Sequence, residues 1–235
     1  MTYFKLNFHQ FYTIFAKSRY ICPKISNMKS KHALEHLKPK EAHQILIEGN
    51  QRFVQNSPAE RDHGESIRST SQGQFPFAII LSCIDSRVPT ELVFDQGIGD
   101  IFSARVAGNV INEDVLASME YACKVTGSKI IVVLGHTNCG AVTAACKDVQ
   151  MGNITGLLSK IKPAIALSKK EDPSFTLDYN QPEDVNHVAI KNIQVSIDQI
   201  RNESPILAEM EKNGDIDIVG AMYSVQTGEV EFLNV

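Results

Sequence analysis

The chain has 235 residues, 43% hydrophobic and 21% charged, so it can bury a sizeable core and is neither disordered nor collagen-like. A formal net charge of −4 argues against a nucleic-acid binder, and no apolar run approaches the roughly 18 residues of a membrane span. The five cysteines are too few and too unevenly spaced for a disulfide framework, which favours reduced thiols or metal ligands.

The first part of the chain differs in charge from the rest. Residues 1–31 carry six basic side chains and no acidic one, and they lack the uninterrupted apolar segment of a secretory signal. We expect a basic extension over residues 1–35 and a single α/β domain over residues 36–235. A targeting or surface-binding segment and a partner-contacting arm are open interpretations of the extension, but we favour a disordered arm or sequence upstream of a true start at Met28.

Apolar residues recur at helical spacing in some segments and form short continuous runs in others, which predicts helices alternating with buried strands. In chain order we predict a helix over 39–54, a loop over 56–74, strands over 77–81 and 101–106, a helix over 113–125, a strand over 130–134, helices over 140–149, 154–168 and 183–201, and strands over 216–223 and 229–233. Ser204-Pro205 ends the last helix, and Thr227-Gly228 forms the final turn. The expected fold class is α/β, with a mostly parallel central sheet flanked by helices and a C-terminal strand hairpin.

Two segments place reactive residue types directly after predicted central strands. Cys83 follows the strand over 77–81, and the segment from His136 to Cys139 follows the strand over 130–134. Open α/β sheets bind ligands beyond the carboxyl ends of their strands, so adjacency of these two strands would bring the three side chains together. Two thiolates and one imidazole form a Zn²⁺ ligand set, and three protein ligands leave a fourth position for water or substrate. This pattern indicates a catalytic metal site.

Asp85 and Arg87 lie on alternate positions after Cys83, close enough for a charge-assisted pair. An ionised, oriented carboxylate beside a zinc-bound water can accept its hydrogen bond and aim it at an electrophile. Arg87 would also decide whether Asp85 is free to move onto the metal. The remaining cysteines have simpler interpretations. We expect Cys123 and Cys146 to be packing residues, and Cys22 lies in the basic extension.

At these residues the chain resembles the β-class carbonic anhydrases, from about Leu37 to Val235. The motifs that match in order and spacing are Gly49–Phe53 (GNQRF), Cys83–Pro89 (CIDSRVP), Arg105–Asn109 (RVAGN), Gly135–Gly140 (GHTNCG) and Gly220–Tyr223 (GAMY) with Thr227-Gly228. The resemblance implies that Cys83, His136 and Cys139 hold Zn²⁺. It also implies an N-terminal helical arm reaching over a partner subunit, and a homodimer as the minimal unit, with a tetramer as the alternative.

The resemblance further implies the reaction, which is the reversible hydration of carbon dioxide to bicarbonate and a proton. In the family, zinc-bound hydroxide attacks carbon dioxide, while the residue matching Asp85 orients the hydroxide and the residue matching Arg87 holds that carboxylate. The proton shuttle is not identified by the sequence.

The family has two types of active site, and the chain resembles the type that keeps water as the fourth ligand. The other type has a tryptophan and a glycine where this chain has Ile80 and Ser82. The resemblance implies a carbon dioxide pocket lined by Gln74, Phe102 and Tyr121, partly from a neighbouring subunit. Plain core packing is the alternative interpretation of the two aromatic residues.

Two other functions stay open at this point. Relatives with the same ligands hydrolyse carbon disulfide or carbonyl sulfide, and a non-catalytic, zinc-stabilised interaction protein could use the same three residues. The latter predicts that Asp85→Asn leaves every property intact, because a purely structural site needs no orienting carboxylate. Since both thiol ligands must stay reduced, we expect a cytoplasmic location.

Overall fold

A five-stranded sheet lies at the centre of the structure, a computed structural model that describes residues 30–234. The strands are β1 (Ala78–Ser82), β2 (Ile101–Arg105), β3 (Ile130–His136), β4 (Asp217–Tyr223) and β5 (Val230–Leu233). Their spatial order is β2-β1-β3-β4-β5, with parallel pairing up to β4 and an antiparallel final pair. The predicted α/β class, the mostly parallel sheet and the closing hairpin are confirmed.

The two central strands are buried on both faces, as their continuous apolar runs predict. In β1, Ile79 packs into the core on one side of the sheet and Ile80 into the core on the other. The parallel register pairs Ser82 of β1 with Leu134 of β3. Residues that directly follow β1 therefore lie beside the last residues of β3, at the carboxyl edge of the sheet.

Helices cover both faces of the sheet. They are α1 (Lys31–His36), α2 (Pro39–Val54), α3 (His63–Thr70), α4 (Thr90–Val93), α5 (Glu113–Glu120), α6 (Gly140–Cys146), α7 (Gly152–Ser159), α8 (Lys162–Glu171), α9 (Pro182–Glu203) and α10 (Pro205–Lys212). Helices α1, α2 and α4 contribute to the core on one face, and α5 to α10 contribute to the core on the other. A π-helical turn, Tyr121–Val125, continues α5, and a 3₁₀ turn, Ala107–Asn109, follows β2.

The prediction of a loop over residues 56–74 is wrong at α3. This helix begins where the side chain of Asp62 accepts a hydrogen bond from the backbone N–H of Glu65 at 3.0 Å. Arg68 then pairs with Glu65 one turn along the helix surface. Because Ser66 is its only buried residue, α3 has no apolar periodicity from which a helix could be predicted.

Two further helix boundaries differ from the prediction. Instead of one helix over 154–168 there are two, since α7 ends at Ser159 and α8 begins with Pro163 in its first turn. Ser204 ends α9 as predicted, but its hydroxyl also accepts a hydrogen bond from Leu207 N and caps α10. Pro205 is the first residue of that unpredicted helix, a position that proline favours.

The predictions for residues 1–29, including Cys22, lie outside the described residues. Helix α1 starts at Lys31 and buries Leu34 in the core, so this end of the predicted extension packs on the domain. The division at residue 35 stays a prediction. Within residues 30–234, no helix combines the length and the hydrophobicity needed to span a membrane.

Candidate metal centre

Three buried side chains meet at the carboxyl edge of the sheet. Cys83 directly follows β1, His136 is the last residue of β3, and Cys139 caps the start of α6. One ligand atom from each lies within 4.8 Å of the others. Asn138 adopts a left-handed backbone conformation with φ of 55°, and this turn between strand and helix directs His136 and Cys139 toward the same point. The structure thus brings together the three residues predicted to bind zinc.

The hydrogen bonding of His136 defines which ring nitrogen can bind a metal. His136 Nδ1 lies 3.0 Å from the carbonyl oxygen of Thr137. A carbonyl oxygen only accepts, so Nδ1 carries the proton and Nε2 presents its lone pair. Nε2 is buried and has no hydrogen-bond partner within residues 30–234. A Zn²⁺ ion would satisfy this nitrogen, and a carbonyl behind the ring is the usual support for a zinc-ligating histidine.

The thiols of Cys83 and Cys139 are in contact with each other. A hydrogen bond with the Cys139 side chain lowers the pKa of Cys83 to about 4, although burial acts in the opposite direction. The same contact, together with burial, raises the pKa of Cys139. The backbone N–H of Gly108 also donates to Cys83 Sγ at 3.3 Å. The contact between the two thiols therefore favours the thiolate at Cys83 and the thiol at Cys139, and binding of a metal requires both to be deprotonated.

Asp85 lies at the border of this cluster and is clamped by Arg87. Arg87 Nε donates to Asp85 Oδ1 at 2.9 Å, Arg87 Nη2 donates to Oδ2 at 2.8 Å, and the Arg87 backbone N–H donates to Oδ1 at 3.0 Å. The bonds from the Arg87 side chain hold the pKa of the Asp85 carboxyl well below its usual range. Asp85 Oδ2 is 4.0 Å from His136 Nε2, so the ionised carboxylate borders the cluster.

Two residues without a predicted positioning role hold the loops that carry these groups. Arg105, the last residue of β2, donates through Nε to the carbonyl of Cys83 at 3.1 Å and through Nη2 to the carbonyl of Asp85 at 2.7 Å. On the other side, the Asn138 backbone N–H donates to Asn186 Oδ1 at 3.0 Å. Arg105 belongs to the RVAGN motif, which could have signalled it, whereas Asn186 is a polar residue of α9 in no quoted motif.

The three predicted pocket residues are only partly brought together. Phe102 and Tyr121 meet edge to face with ring centroids 6.4 Å apart, and both line a cavity of about 570 Å³ between β2 and α5. Ile79 of β1 contributes to its apolar wall. Gln74 is exposed on the segment before β1 and is not among the residues that line this cavity in a single chain. Tyr121 is 51% exposed, so its role is not plain core packing.

The fold and the site define an α/β protein with a buried Cys-His-Cys cluster that could hold a metal ion, and comparisons with known proteins show its family. The family model described as carbonic anhydrase matches residues 78–230. Carbonic anhydrase 2 of Mycobacterium tuberculosis is 34% identical over 196 residues, which cover 81% of this chain and 90% of that protein. The carbonic anhydrase of Mycolicibacterium smegmatis is 36% identical over 199 residues, covering 82% of this chain and 92% of that protein.

A solved structure agrees with these relatives. The β-carbonic anhydrase CafA of Aspergillus fumigatus superimposes with a TM-score of 0.66 at 27% identity, covering 73% of this chain and 82% of CafA. The chain therefore belongs to the carbonic anhydrase family, in its β class, and its enzyme class is carbonate dehydratase. The resemblance and the enzyme class predicted from the sequence are confirmed.

Proposed function

We propose that this chain catalyses the reversible hydration of carbon dioxide to bicarbonate, with Zn²⁺ held by Cys83, His136 and Cys139. The observation that carries the proposal is the convergence of these ligand atoms within 4.8 Å beside a clamped carboxylate. The thiolates and the free imidazole nitrogen are the ligand types that zinc prefers. When bound, Zn²⁺ supplies a Lewis acid that lowers the pKa of a water molecule toward neutrality.

In this proposal Asp85 orients the attacking water. Its carboxylate is ionised and only 18% of its side chain is exposed. Oδ1 already accepts two bonds from Arg87, so Oδ2, which accepts one, is the oxygen with a lone pair left for the water. A fixed acceptor costs no reorganisation when the nucleophile attacks, which is the general advantage of preorganised polar groups. Because both carboxylate oxygens bond to Arg87, Asp85 would have to give up these bonds to become a metal ligand, which supports the open type of site as part of the proposal.

The cavity beside Phe102 and Tyr121 is the proposed carbon dioxide pocket, in which Ile79 and the two aromatic rings form an apolar wall and Ser103, Asp114 and Ser118 are the polar part of the lining. Carbon dioxide is small and has no hydrogen-bond donor, so it is retained by apolar contact rather than by charge.

We propose a homodimer as the working unit. Ile84, next to Cys83, and Leu92 of α4 are 62% and 63% exposed in a single chain, which is unusual for large apolar side chains without a partner. A second copy would cover such residues and would supply part of the pocket lining, as the resemblance implies. A tetramer and a cytoplasmic location stay predictions.

The decisive experiment is stopped-flow hydration of carbon dioxide by zinc-loaded protein at alkaline pH. We expect a rate far above that of buffer, and its loss in Cys139→Ser together with the bound zinc. Cys146→Ser is the matched control, because Cys146 lies outside the cluster and its loss should leave zinc content and rate unchanged. No rate above buffer for the zinc-loaded wild type would refute the proposal.

Two further assays separate the alternative functions. Faster sulfide release from carbonyl sulfide or carbon disulfide than carbon dioxide hydration would assign those substrates to the site instead. Asp85→Asn tests the non-catalytic interpretation, because a structural site has no need of an orienting carboxylate. We expect this variant to retain zinc and to lose most of its hydration rate.

A further inference from the structure

Helix α9 contacts one segment that carries proposed metal ligands and the turn that bonds to the third ligand. Near its start, Asn186 Oδ1 accepts the backbone N–H of Asn138, which lies between His136 and Cys139. Further along, Asn192 Nδ2 donates to the carbonyl oxygen of Gly108 at 2.8 Å. The side chain of Asn192 is buried among the apolar residues of the helix–sheet interface, and the residue is only 1% exposed. Burial of an amide destabilises the fold unless the amide is hydrogen-bonded, so the bond from Asn192 to Gly108 offsets the cost of placing this side chain in the core.

Gly108 is itself bonded to a proposed metal ligand. Its backbone N–H donates to Cys83 Sγ at 3.3 Å, while its carbonyl oxygen accepts the bond from Asn192. One residue therefore links the buried amide of α9 to the thiolate. Hydrogen bonds to a metal-bound sulfur reduce its charge and fix its direction, so they adjust how strongly the sulfur binds the metal.

The turn that carries this N–H is contacted by side chains of α9. Gly108 and Asn109 adopt consecutive left-handed conformations, with φ of 68° and 43°. Glycine adopts this conformation freely and asparagine tolerates it, so the backbone of the turn suits its sequence, and neighbouring contacts fix the direction of its N–H and carbonyl groups. The contact on Gly108 itself comes from Asn192, whereas Ser196 donates to the carbonyl of Asn109 at 3.3 Å, one peptide further from the N–H that bonds to Cys83.

We propose that Asn192 is a positioning residue of the metal centre, which holds Gly108 so that its N–H bonds to the Cys83 thiolate. The proposal rests on the zinc site of the proposed function, but it concerns metal affinity and the electronic state of the sulfur rather than the reaction. Replacing Asn192 should leave the three ligands in place and weaken their hold on the ion. Residues that support metal ligands typically contribute about 10-fold to 100-fold in affinity.

The test compares zinc affinity and the Co²⁺ spectrum of the full-length wild type and Asn192→Leu. Zinc affinity is measured by competition with a chromophoric chelator, and the Co²⁺-substituted protein reports the thiolate through its sulfur-to-metal charge-transfer band. We expect the leucine variant to bind zinc about 10-fold more weakly and to shift this band. Ser196→Ala is the matched control, because Ser196 is equally buried on the same helix and bonds to the neighbouring carbonyl.

The control should lower the thermal midpoint without changing zinc affinity or the charge-transfer band. Wild-type affinity and an unshifted band in Asn192→Leu would overturn the proposal, and so would equal changes in Ser196→Ala. Should the leucine variant fail to fold, Asn192→Asp keeps the shape of the side chain but presents an acceptor to the Gly108 carbonyl, and the same changes are expected. Failure of the proposed function gives a different result. In that case the wild type would bind zinc and Asn192→Leu would still weaken zinc binding and shift the band, but the zinc-loaded wild type would not hydrate carbon dioxide.

Discussion

Arg87 Nη2 donates a hydrogen bond to the carbonyl oxygen of Asn138 at 3.3 Å, in addition to its bonds with Asp85. These two partners belong to different ligand segments, one after β1 and the other between His136 and Cys139. The guanidinium therefore joins the two loops that carry the metal ligands while it clamps the carboxylate. A planar group with donors in fixed directions can make these contacts together, and an ammonium group cannot.

Arg87→Lys should therefore reduce catalysis although it preserves the charge. The lysine can contact only one oxygen of Asp85 at a time, so the carboxylate loses its fixed orientation. We expect kcat for carbon dioxide hydration to fall roughly 100-fold, the size of effect that small misplacements of catalytic groups produce. Arg68→Lys is the control, because Arg68 also bonds to a carboxylate through Nε and Nη2 but lies on the exposed surface of α3. An unchanged kcat in Arg87→Lys would contradict the role assigned to the paired donors of the Arg87 guanidinium.

Much of the fold was predictable because burial on both faces leaves a clear pattern. The central strands β1 and β3 are continuous apolar runs, and α9 has a long inward stripe of apolar residues. Helix α3 gave no such pattern, since it buries only Ser66 and forms through its cap and surface ion pair. Pro205 was interpreted only as a stop signal, although proline stops one helix and starts another equally well.

The candidate site was predictable where chemistry is concentrated in rare residue types. Cysteine, histidine and aspartate directly after buried strands are uncommon enough to indicate a site, and the α/β rule then places them together. Among the supporting residues, Asn186 was not predictable, because an asparagine in a long helix is usually exposed to solvent. Asn192 did carry a signal, since it follows the inward residues Val185 and Ala189 by seven and three positions on the buried face of α9.

Removal of the metal should destabilise the fold around the sheet edge. The proposed ligands connect β1, β3 and α6. An ion whose free concentration is about 100 times its dissociation constant adds about 2.7 kcal/mol to the free energy of unfolding. We expect treatment with a strong chelator to lower the thermal midpoint by several degrees, measured by circular dichroism, and added zinc to restore it. Cys139→Ser is the comparison, because its midpoint should no longer respond to chelator or zinc. A wild-type midpoint indifferent to chelation would contradict the zinc site.

The cysteines outside the cluster should react slowly with thiol reagents. Burial raises the pKa of Cys123 to about 12 and that of Cys146 to about 11. Because the thiolate is the nucleophile, a raised pKa lowers the fraction of each cysteine that is thiolate at pH 8. Below the pKa, this thiolate fraction, and with it the labelling rate, rises about tenfold for each pH unit. Iodoacetamide labelling of zinc-loaded Cys22→Ser protein, followed by mass spectrometry, should show Cys123 unmodified and Cys146 slow at pH 8. Urea-unfolded protein is the positive control, and rapid labelling of Cys123 in the folded chain would contradict its buried position.

Two glycines should respond in opposite directions to the same substitution. At Gly108 the backbone φ is 68°, and an added Cβ would lie 2.7 Å from Ile161 Cδ1, so alanine meets both backbone strain and a clash. Such strain costs about 1–3 kcal/mol, and any shift of the turn also moves the N–H that bonds to Cys83. At Gly156, inside α7, an added Cβ has nothing within 4 Å. Alanine there should stabilise the helix by about 0.5–1 kcal/mol through its lower conformational entropy.

Urea unfolding of both zinc-loaded variants measures these changes, and zinc competition separates the two consequences at Gly108. Gly108→Ala should lower both the free energy of unfolding and the affinity for zinc, because the turn that supports the Cys83 thiolate must rearrange. Gly156→Ala should raise the free energy of unfolding and leave zinc affinity as in the wild type. Should Gly108→Ala lose stability yet bind zinc with wild-type affinity, the N–H to sulfur bond would have no part in holding the metal, and Asn192 would lose its role with it.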